Sequence, residues 1–110
     1  MNDETIKAIL QIRDERDWIQ FHNPKDLAIS LSLKASELLE IFQWSGADVS
    51  AEGKLEKIKE ELADVLIYAV DMANVCGLDL NEIILEKLRR NAEKYSVEKA
   101  RGSAKKYNEL

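Results

Sequence analysis

The chain has 110 residues, 34% of them charged, and a formal net charge of −5. This length predicts one domain with a small core, and the acidic balance excludes general nucleic-acid binding through a basic surface. The single cysteine, Cys76, excludes an internal disulfide and indicates a reducing cytoplasm. Its apolar neighbours predict a buried, inert thiol. No apolar run is long enough to span a membrane, so we expect a cytoplasmic protein without membrane contact.

The first two helices follow from periodicity and from their start signals. One proline and four glycines favour an all-helical chain. Helical spacing of isoleucine and leucine predicts a first helix over residues 4–20, with Asn2 or Asp3 as its N-cap. The second helix is predicted from Pro24 to about Trp44, with Asn23 as its N-cap.

The second half of the chain carries two more helices and a tail. The third helix is predicted from Leu55 to Cys76, where Gly77 is a natural stop. A capping-box variant that starts at Asp79 opens a fourth helix, which ends near Tyr95. The remaining residues are basic and weakly periodic. We therefore predict a single helical domain over residues 1–95 and a basic C-terminal tail over 96–110, which a partner subunit could order.

Two pairs of acidic residues are the main candidates for chemistry. Glu37 and Glu40 lie three residues apart on the second helix, as do Glu61 and Asp64 on the third, and both pairs lie inside apolar runs. Carboxylates are rarely buried unless they are paired or bind a metal. Two such pairs facing each other would offer oxygen ligands to Mg²⁺. The same spacing is common at the solvent edge of amphipathic helices, so both interpretations stay open here.

Aromatic residues follow each acidic pair one helical turn later. The aromatic rings of Trp44 and Tyr68 would lie on the same helix faces as the acids, within about 60° around the helix axis. An aromatic ring can stack on a nucleobase, and a metal beside it can bind the phosphates. Together they would form a nucleotide-binding site. The alternative is that both rings belong to the core.

The fourth helix and the single histidine limit the kinds of reaction that the chain could catalyse. Lys87, Asn91 and Lys94 share one face and suit phosphate and sugar oxygens, although a solvated basic face has the same pattern. With His22 alone, the chain cannot supply the two Glu-x-x-His motifs of a di-iron bundle. Catalysis would therefore be attack by water, organised by carboxylates and metal.

These motifs together resemble the MazG-like all-α nucleoside triphosphate pyrophosphohydrolases, and most closely their dCTP pyrophosphatase branch. The resemblance covers nearly the whole chain, and its motifs occur in the family's order. They are Glu15–His22, Glu37–Trp44, Glu60–Tyr68, the positions Lys87, Asn91 and Tyr95, and Arg101–Tyr107. The resemblance implies a four-helix bundle of the MazG-like type that is completed by oligomerisation into a homodimer or homotetramer.

The resemblance also implies roles for individual residues. Glu37, Glu61 and Asp64 would bind Mg²⁺, with Mn²⁺ as an alternative. Glu40, one turn further along, is not the usual ligand of the family, but we predict it as a further ligand that compensates for Lys34. Independently of the resemblance, we expect a carboxylate that the metal does not fully use, Glu37 or Glu40, to orient or deprotonate the attacking water. The resemblance further implies the contacts with the substrate. The base and sugar would be surrounded by Trp18, His22, Trp44 and Tyr68. The triphosphate would be held by Lys87, Asn91, Lys94 and Tyr95.

One residue departs from the family pattern. Lys34 stands where the family usually has a metal-binding glutamate, so a ligand charge of −1 becomes +1. Charge repulsion predicts weakened metal binding. The other possibility is an active role, in which Lys34 contacts the triphosphate in place of a second metal.

The sequence therefore predicts a Mg²⁺-dependent enzyme that cleaves a nucleoside triphosphate, dCTP or a modified dCTP being favoured, to the monophosphate and pyrophosphate. Such an activity would clear non-standard or excess nucleotides. The alternative, supported by Lys34, is a catalytically impaired bundle that binds nucleotides or only associates with itself.

Overall fold

Five α-helices and no β-strand make up the protein, which we describe over residues 1–110 from a computed structural model. The predicted all-α class is confirmed. The helices are α1 (Asp3–Glu15), α2 (Pro24–Glu40), α3 (Leu55–Val75), α4 (Leu80–Lys94) and α5 (Val97–Ala100). Short 3-10 helices cover Trp18–Phe21 and Tyr107–Glu109.

Three helix start signals read from the sequence, at Asn2, Asn23 and Asp79, act as N-caps. The side-chain oxygen of Asn2 accepts a hydrogen bond from the amide of Thr5 at 2.9 Å. Asn23 accepts one from Asp26 at 2.9 Å, and Asp79 accepts one from the fourth residue of its capping box at 3.0 Å. Each cap satisfies a backbone donor that the first helical turn leaves without a partner.

Two helices end earlier than predicted. α1 ends at Glu15 rather than near residue 20, because Asp17 adopts a left-handed conformation with φ of 51°. α2 ends at Glu40 rather than at Trp44, because amides 42 and 43 bond to carbonyls three residues back and tighten the chain. Trp44 itself has φ of 69°. The predicted helical face that joins Glu37 and Glu40 to Trp44 is therefore wrong.

The segment between α2 and α3 is organised by Asp48. Its carboxylate accepts hydrogen bonds from the amide and hydroxyl of Ser50, at 2.9 and 2.8 Å, and pairs with the Lys54 ammonium at 3.2 Å. The Ser50 amide, then its hydroxyl and Lys54 lower the pKa of Asp48 to about 2. This turn fixes Lys54 immediately before the start of α3.

α2 packs along α3 in an antiparallel arrangement. Lys34 pairs with Asp64 at 3.3 Å, and Glu37, three residues further along α2, contacts Glu61, three residues earlier on α3. α1 makes a smaller contact with α3. The apolar residues that are fully buried are few: Leu27, Val70 and Ala73.

A buried polar group accompanies this small core. Arg13 is 5% exposed and donates hydrogen bonds to Asn74 at 2.6 Å and to Asp14 at 2.9 Å. Asp71 is 4% exposed, and its Oδ1 has no hydrogen-bond partner. Burial raises the pKa of Asp71; electrostatic interactions with His22 and Arg13 act in the opposite direction, and the negative charge of Asp14 adds to the rise.

The chain divides into two compact units, Met1–Gly77 and Leu78–Leu110. The single domain over residues 1–95 stays a prediction. In the second unit, the 3-10 helix at the C-terminus brings Tyr107 edge-to-face against Tyr95, with ring centroids 6.2 Å apart. The segment predicted to be a weakly structured tail thus contacts the end of α4 within the same chain.

The helix lengths and the exposure of Cys76 test two of the predictions made from the sequence. None of the helices is both long and apolar enough to cross a lipid bilayer. Cys76 is exposed, so the prediction of a buried thiol is wrong. It follows the last residue of α3, and Gly77 after it takes a positive φ of 67°, so the chain leaves the helix there.

Replacing Asp71 tests whether the buried carboxyl lowers stability at neutral pH. A raised pKa means that the folded state holds its proton at pH values where the unfolded state has lost it, so stability falls as pH rises through this range. Asp71→Asn is expected to raise the free energy of unfolding at pH 7 and to have little effect below pH of about 3.9, the ordinary carboxyl value. Urea unfolding at both pH values measures this, with Glu60→Gln, an exposed change on the same helix, as the control. A loss of stability at pH 7 would contradict it.

Candidate functional site

Four charged side chains meet where α2 packs on α3, and we call them the acidic cluster: Lys34, Glu37, Glu61 and Asp64. The ammonium of Lys34 lies 3.1 Å from Glu37 Oε2 and 3.3 Å from Asp64 Oδ2. The carboxyl groups of Glu37 and Glu61 are hydrogen-bonded to each other. Three of the four predicted metal-binding acids are therefore brought together, and the lysine lies among them.

The protonation of the cluster follows from these contacts. The hydrogen bond from Lys34 lowers the pKa of Glu37, and the hydrogen bond with Glu61 adds to this. The hydrogen bond to Glu37, then burial, raises the pKa of Glu61. Glu37 and Asp64 in turn raise the pKa of Lys34. Of the two neighbouring glutamates, Glu61 is therefore the one whose protonated form is favoured, and the charged form of Lys34 is stabilised.

The donor chemistry of the cluster fits a hard cation such as Mg²⁺. All three acids offer carboxylate oxygens, and Oε2 of Glu61 is buried without a hydrogen-bond partner. No group of three or more Asp, Glu, His or Cys side chains is arranged around a common metal position. Two of the three carboxylates, those of Glu37 and Asp64, instead contact the Lys34 ammonium, and the assignment of individual metal ligands stays a prediction.

A cleft of about 500 Å³ opens beside the acidic cluster. This volume is within the usual range for small-molecule sites. The cleft has acidic and basic walls, and its lining residues are Glu37, Glu40, Ile41, Gly53, Lys54, Lys57 and Glu61. Glu40 thus lines the cleft and makes no ion pair, whereas the other three predicted metal-binding acids belong to the acidic cluster.

Lys54 and Lys57 are cleft residues that the sequence analysis missed. Both precede Glu61, and Lys57 lies one helical turn before it, so their spacing could have indicated a shared surface. Ammonium groups on the wall of a cleft suit an anionic ligand such as a phosphate chain.

The four aromatic residues predicted to enclose a base are differently placed. Trp44 is 92% exposed in the turn after α2, and Trp18 is 47% exposed on the first 3-10 helix, with the Arg16 guanidinium 5.7 Å from its ring. Tyr68 is half-buried on α3, one turn after Asp64. His22 is half-buried, and its Nδ1 is buried without a partner. No stacking contact joins these rings, so their role around a base stays a prediction.

The residues predicted to hold phosphates lie together on α4 and at its end. Lys87 is exposed and borders a shallow groove with Ile83 and Glu86. The ammonium of Lys94 lies 4.9 Å from the centre of the Tyr107 ring, a cation–π contact that the sequence did not indicate. Tyr95 is packed on the same ring, and Asn91 is half-buried. Their phosphate-binding role stays a prediction.

Known proteins with similar sequences carry a consistent description. The chain is 41% identical to dCTP pyrophosphatase 1 of Mus musculus and 43% identical to that of Rattus norvegicus, over 101 residues in each case. The human protein of that name is 41% identical. Each of these alignments covers 87% of this chain and 59% of the relative, so the chain spans about three fifths of the length of the curated relatives it matches.

A solved structure shares the fold. A pyrophosphatase from Archaeoglobus fulgidus superposes with a TM-score of 0.78 at 36% sequence identity. The superposition covers 86% of this chain and 91% of the archaeal one. The predicted all-α architecture of the MazG-like type agrees with this likeness.

The family model described as the MazG-like family matches residues 29–110. This range contains the whole acidic cluster, the cleft and α3 to α5. The sequence motifs, the fold and the matched range agree, and the chain belongs to the MazG-like family.

Proposed function

We propose that this protein is a Mg²⁺-dependent nucleoside triphosphate pyrophosphohydrolase that converts dCTP, or a modified dCTP, to the monophosphate and pyrophosphate. The observation that carries the proposal is the acidic cluster, which joins three carboxylates from two helices beside a cleft with basic residues on its wall. The names of the mammalian relatives support the substrate, and that of the archaeal neighbour supports the reaction. Removal of unwanted nucleotides is the biological use we propose.

The acids of the cluster would hold the metal. Glu37, Glu61 and Asp64 are the ligands we propose, with Glu40 at the border of the cleft as a further one. When bound, Mg²⁺, or Mn²⁺ in its place, would neutralise negative charge on the phosphate oxygens.

Glu40 is the better candidate for the general base. Glu37 is paired with Lys34, and its lowered pKa makes it a weaker proton acceptor, whereas Glu40 makes no ion pair and lines the cleft. Glu40 would accept a proton from a water molecule as the water oxygen bonds to the α-phosphorus. The bond from that phosphorus to the bridging oxygen breaks, and pyrophosphate leaves with the bonding electrons.

Other predicted contacts complete the proposal by resemblance to the family. Trp18, His22, Trp44 and Tyr68 would enclose the base and sugar. The phosphates would be contacted by Lys87, Asn91, Lys94 and Tyr95, and the cleft adds Lys54 and Lys57 to the positive charges that could bind them.

We also propose that the protein is a homodimer or homotetramer that acts in the cytoplasm. The apolar side chains of α4 are exposed in the single chain, Leu85 by 66% and Leu88 by 56%. Exposed apolar surface of this kind marks an association site. The presence of one cysteine without a partner is in keeping with a reducing compartment.

A nucleotide-binding bundle without turnover is the second candidate function. The ion pairs of Lys34 favour it, because an ammonium among the carboxylates repels a divalent cation. Pyrophosphate release from a mixture of deoxynucleoside triphosphates, with and without Mg²⁺, separates the two candidates.

Substitutions at two acids test the proposed reaction. Glu61→Gln or Asp64→Asn is expected to lower pyrophosphate release from dCTP by at least a hundredfold, since each removes a carboxylate proposed to bind the metal. Glu60→Gln removes a charge from an exposed neighbour that makes no ion pair, so it should retain activity. Helical circular dichroism should be unchanged in all three variants. Wild-type turnover in either cluster variant would exclude these residues as ligands.

Tryptophan fluorescence tests the base contacts. Titration with dCTP in Ca²⁺ is expected to quench the emission, because exposed indole rings would become covered by the base. Trp44→Ala should weaken binding by about 1–3 kcal/mol, the usual range for a base stacked on an aromatic ring. The affinity of Trp18→Ala for dCTP is measured in the same way and should also be weakened. An unchanged affinity in both variants, without quenching in the wild type, would contradict the assignment.

Sedimentation equilibrium tests the proposed association. The wild-type protein is expected to have the mass of a dimer or tetramer at micromolar concentration, and Leu88→Glu should shift it to smaller species by placing a charge in the apolar face of α4. Val49→Glu, a change at a residue that is 89% exposed in the turn before α3, is the matched control. A monomeric wild type would refute the proposed association.

A further inference from the structure

By the resemblance to the family, Lys34 stands at a position where a metal-binding acid is expected. Its side chain is only 29% exposed, and its ammonium bridges two carboxylates on different helices, Glu37 on α2 and Asp64 on α3. An ordinary pair on one helix surface would join Lys34 to Glu37 alone. The contact across to Asp64 shows that the ammonium lies inside the cluster, between the two helices.

The charges of the cluster indicate what else it can hold. With all three acids ionised, Glu37, Glu61 and Asp64 contribute three negative charges and Lys34 contributes one positive charge. The remaining charge equals that neutralised by one divalent cation. A glutamate at position 34 would instead give four negative charges, which two divalent cations neutralise.

We propose that Lys34 is a built-in cation that takes the place of one divalent ion, so that this site holds a single divalent cation beside the lysine ammonium. The ammonium has three N–H donors; one donates to Glu37 Oε2 at 3.1 Å, and even if the ion pair with Asp64 at 3.3 Å takes up a second, a third is left. The third can donate to a phosphate oxygen of the ligand. This last contact rests on the proposed function, whereas the number of metal ions does not.

Counting bound metal tests the proposal without any turnover. Mn²⁺ is titrated into the full-length protein in the absence of nucleotide, and free Mn²⁺ is measured by electron paramagnetic resonance. We expect one ion per chain for the wild type and two for Lys34→Glu. Lys25→Glu makes the same charge change on the same helix, at an exposed residue without an ion pair, and should bind one ion as the wild type does. A wild-type count of zero or two, or no gain in Lys34→Glu, would overturn the proposal.

The melting temperature gives a second test that does not depend on counting ions. In EDTA, Lys34→Met should melt below the wild type, because the three carboxylates lose their counter-charge while the apolar stem of the side chain is kept. Mn²⁺ should then raise the melting temperature of Lys34→Met by more than that of the wild type. An equal or higher melting temperature of Lys34→Met in EDTA would contradict the role of Lys34 as a cation of the site.

The two proposals fail in different ways. If the wild type binds one Mn²⁺ and Lys34→Glu binds two, but neither releases pyrophosphate from any deoxynucleoside triphosphate, the proposed function is wrong and the role of Lys34 stands. If pyrophosphate is released and the wild type binds two ions, the function stands and the role of Lys34 is refuted.

Discussion

Like charges held close together need a counter-charge, and in this protein that constraint joins two helices. The antiparallel packing of α2 on α3 places Glu37 against Glu61 and Lys34 against Asp64. The Lys34 ammonium, which contacts Glu37 and Asp64, supplies this counter-charge, and the carboxylate neighbours raise the pKa of Glu61. Because the charges come from two helices, any change in their balance acts on the helix pairing as well as on ligand binding.

The small core makes this balance more important. Fully buried apolar residues are few, and polar groups are buried beside them, with Arg13 bonded to Asn74 and Asp71 left with an unpaired oxygen. A domain with so little buried apolar surface has a small margin of stability, and association with another copy is a common way to enlarge it. The exposed apolar residues of α4 are consistent with that need.

Sequence reasoning predicted what depends on local spacing and was less successful where the chain departs from regular helix. The caps at Asn2, Asn23 and Asp79 follow from a single side chain bonding to a nearby amide, so the sequence alone locates them. The position of Trp44 depends on a tight turn that begins after Glu40, and helical periodicity carries no information about such a turn. Asp71 had the same signal as Asp64, an acid within an apolar run, but its burial near Arg13 and His22, residues distant in the sequence, could not be read from spacing. The bridge from Lys34 to Asp64 likewise depends on how two helices pair.

We propose that the acidic cluster holds one divalent cation, with the Lys34 ammonium beside it. A crystal structure with Mn²⁺ and a non-hydrolysable dCTP analogue, with data collected at the manganese absorption edge, tests it most directly. We expect one anomalous peak per cluster, in contact with carboxylates of Glu37, Glu61 or Asp64, and the Lys34 ammonium within hydrogen-bonding distance of a phosphate oxygen. Two anomalous peaks in each cluster, or a Lys34 side chain turned away into solvent, would contradict it.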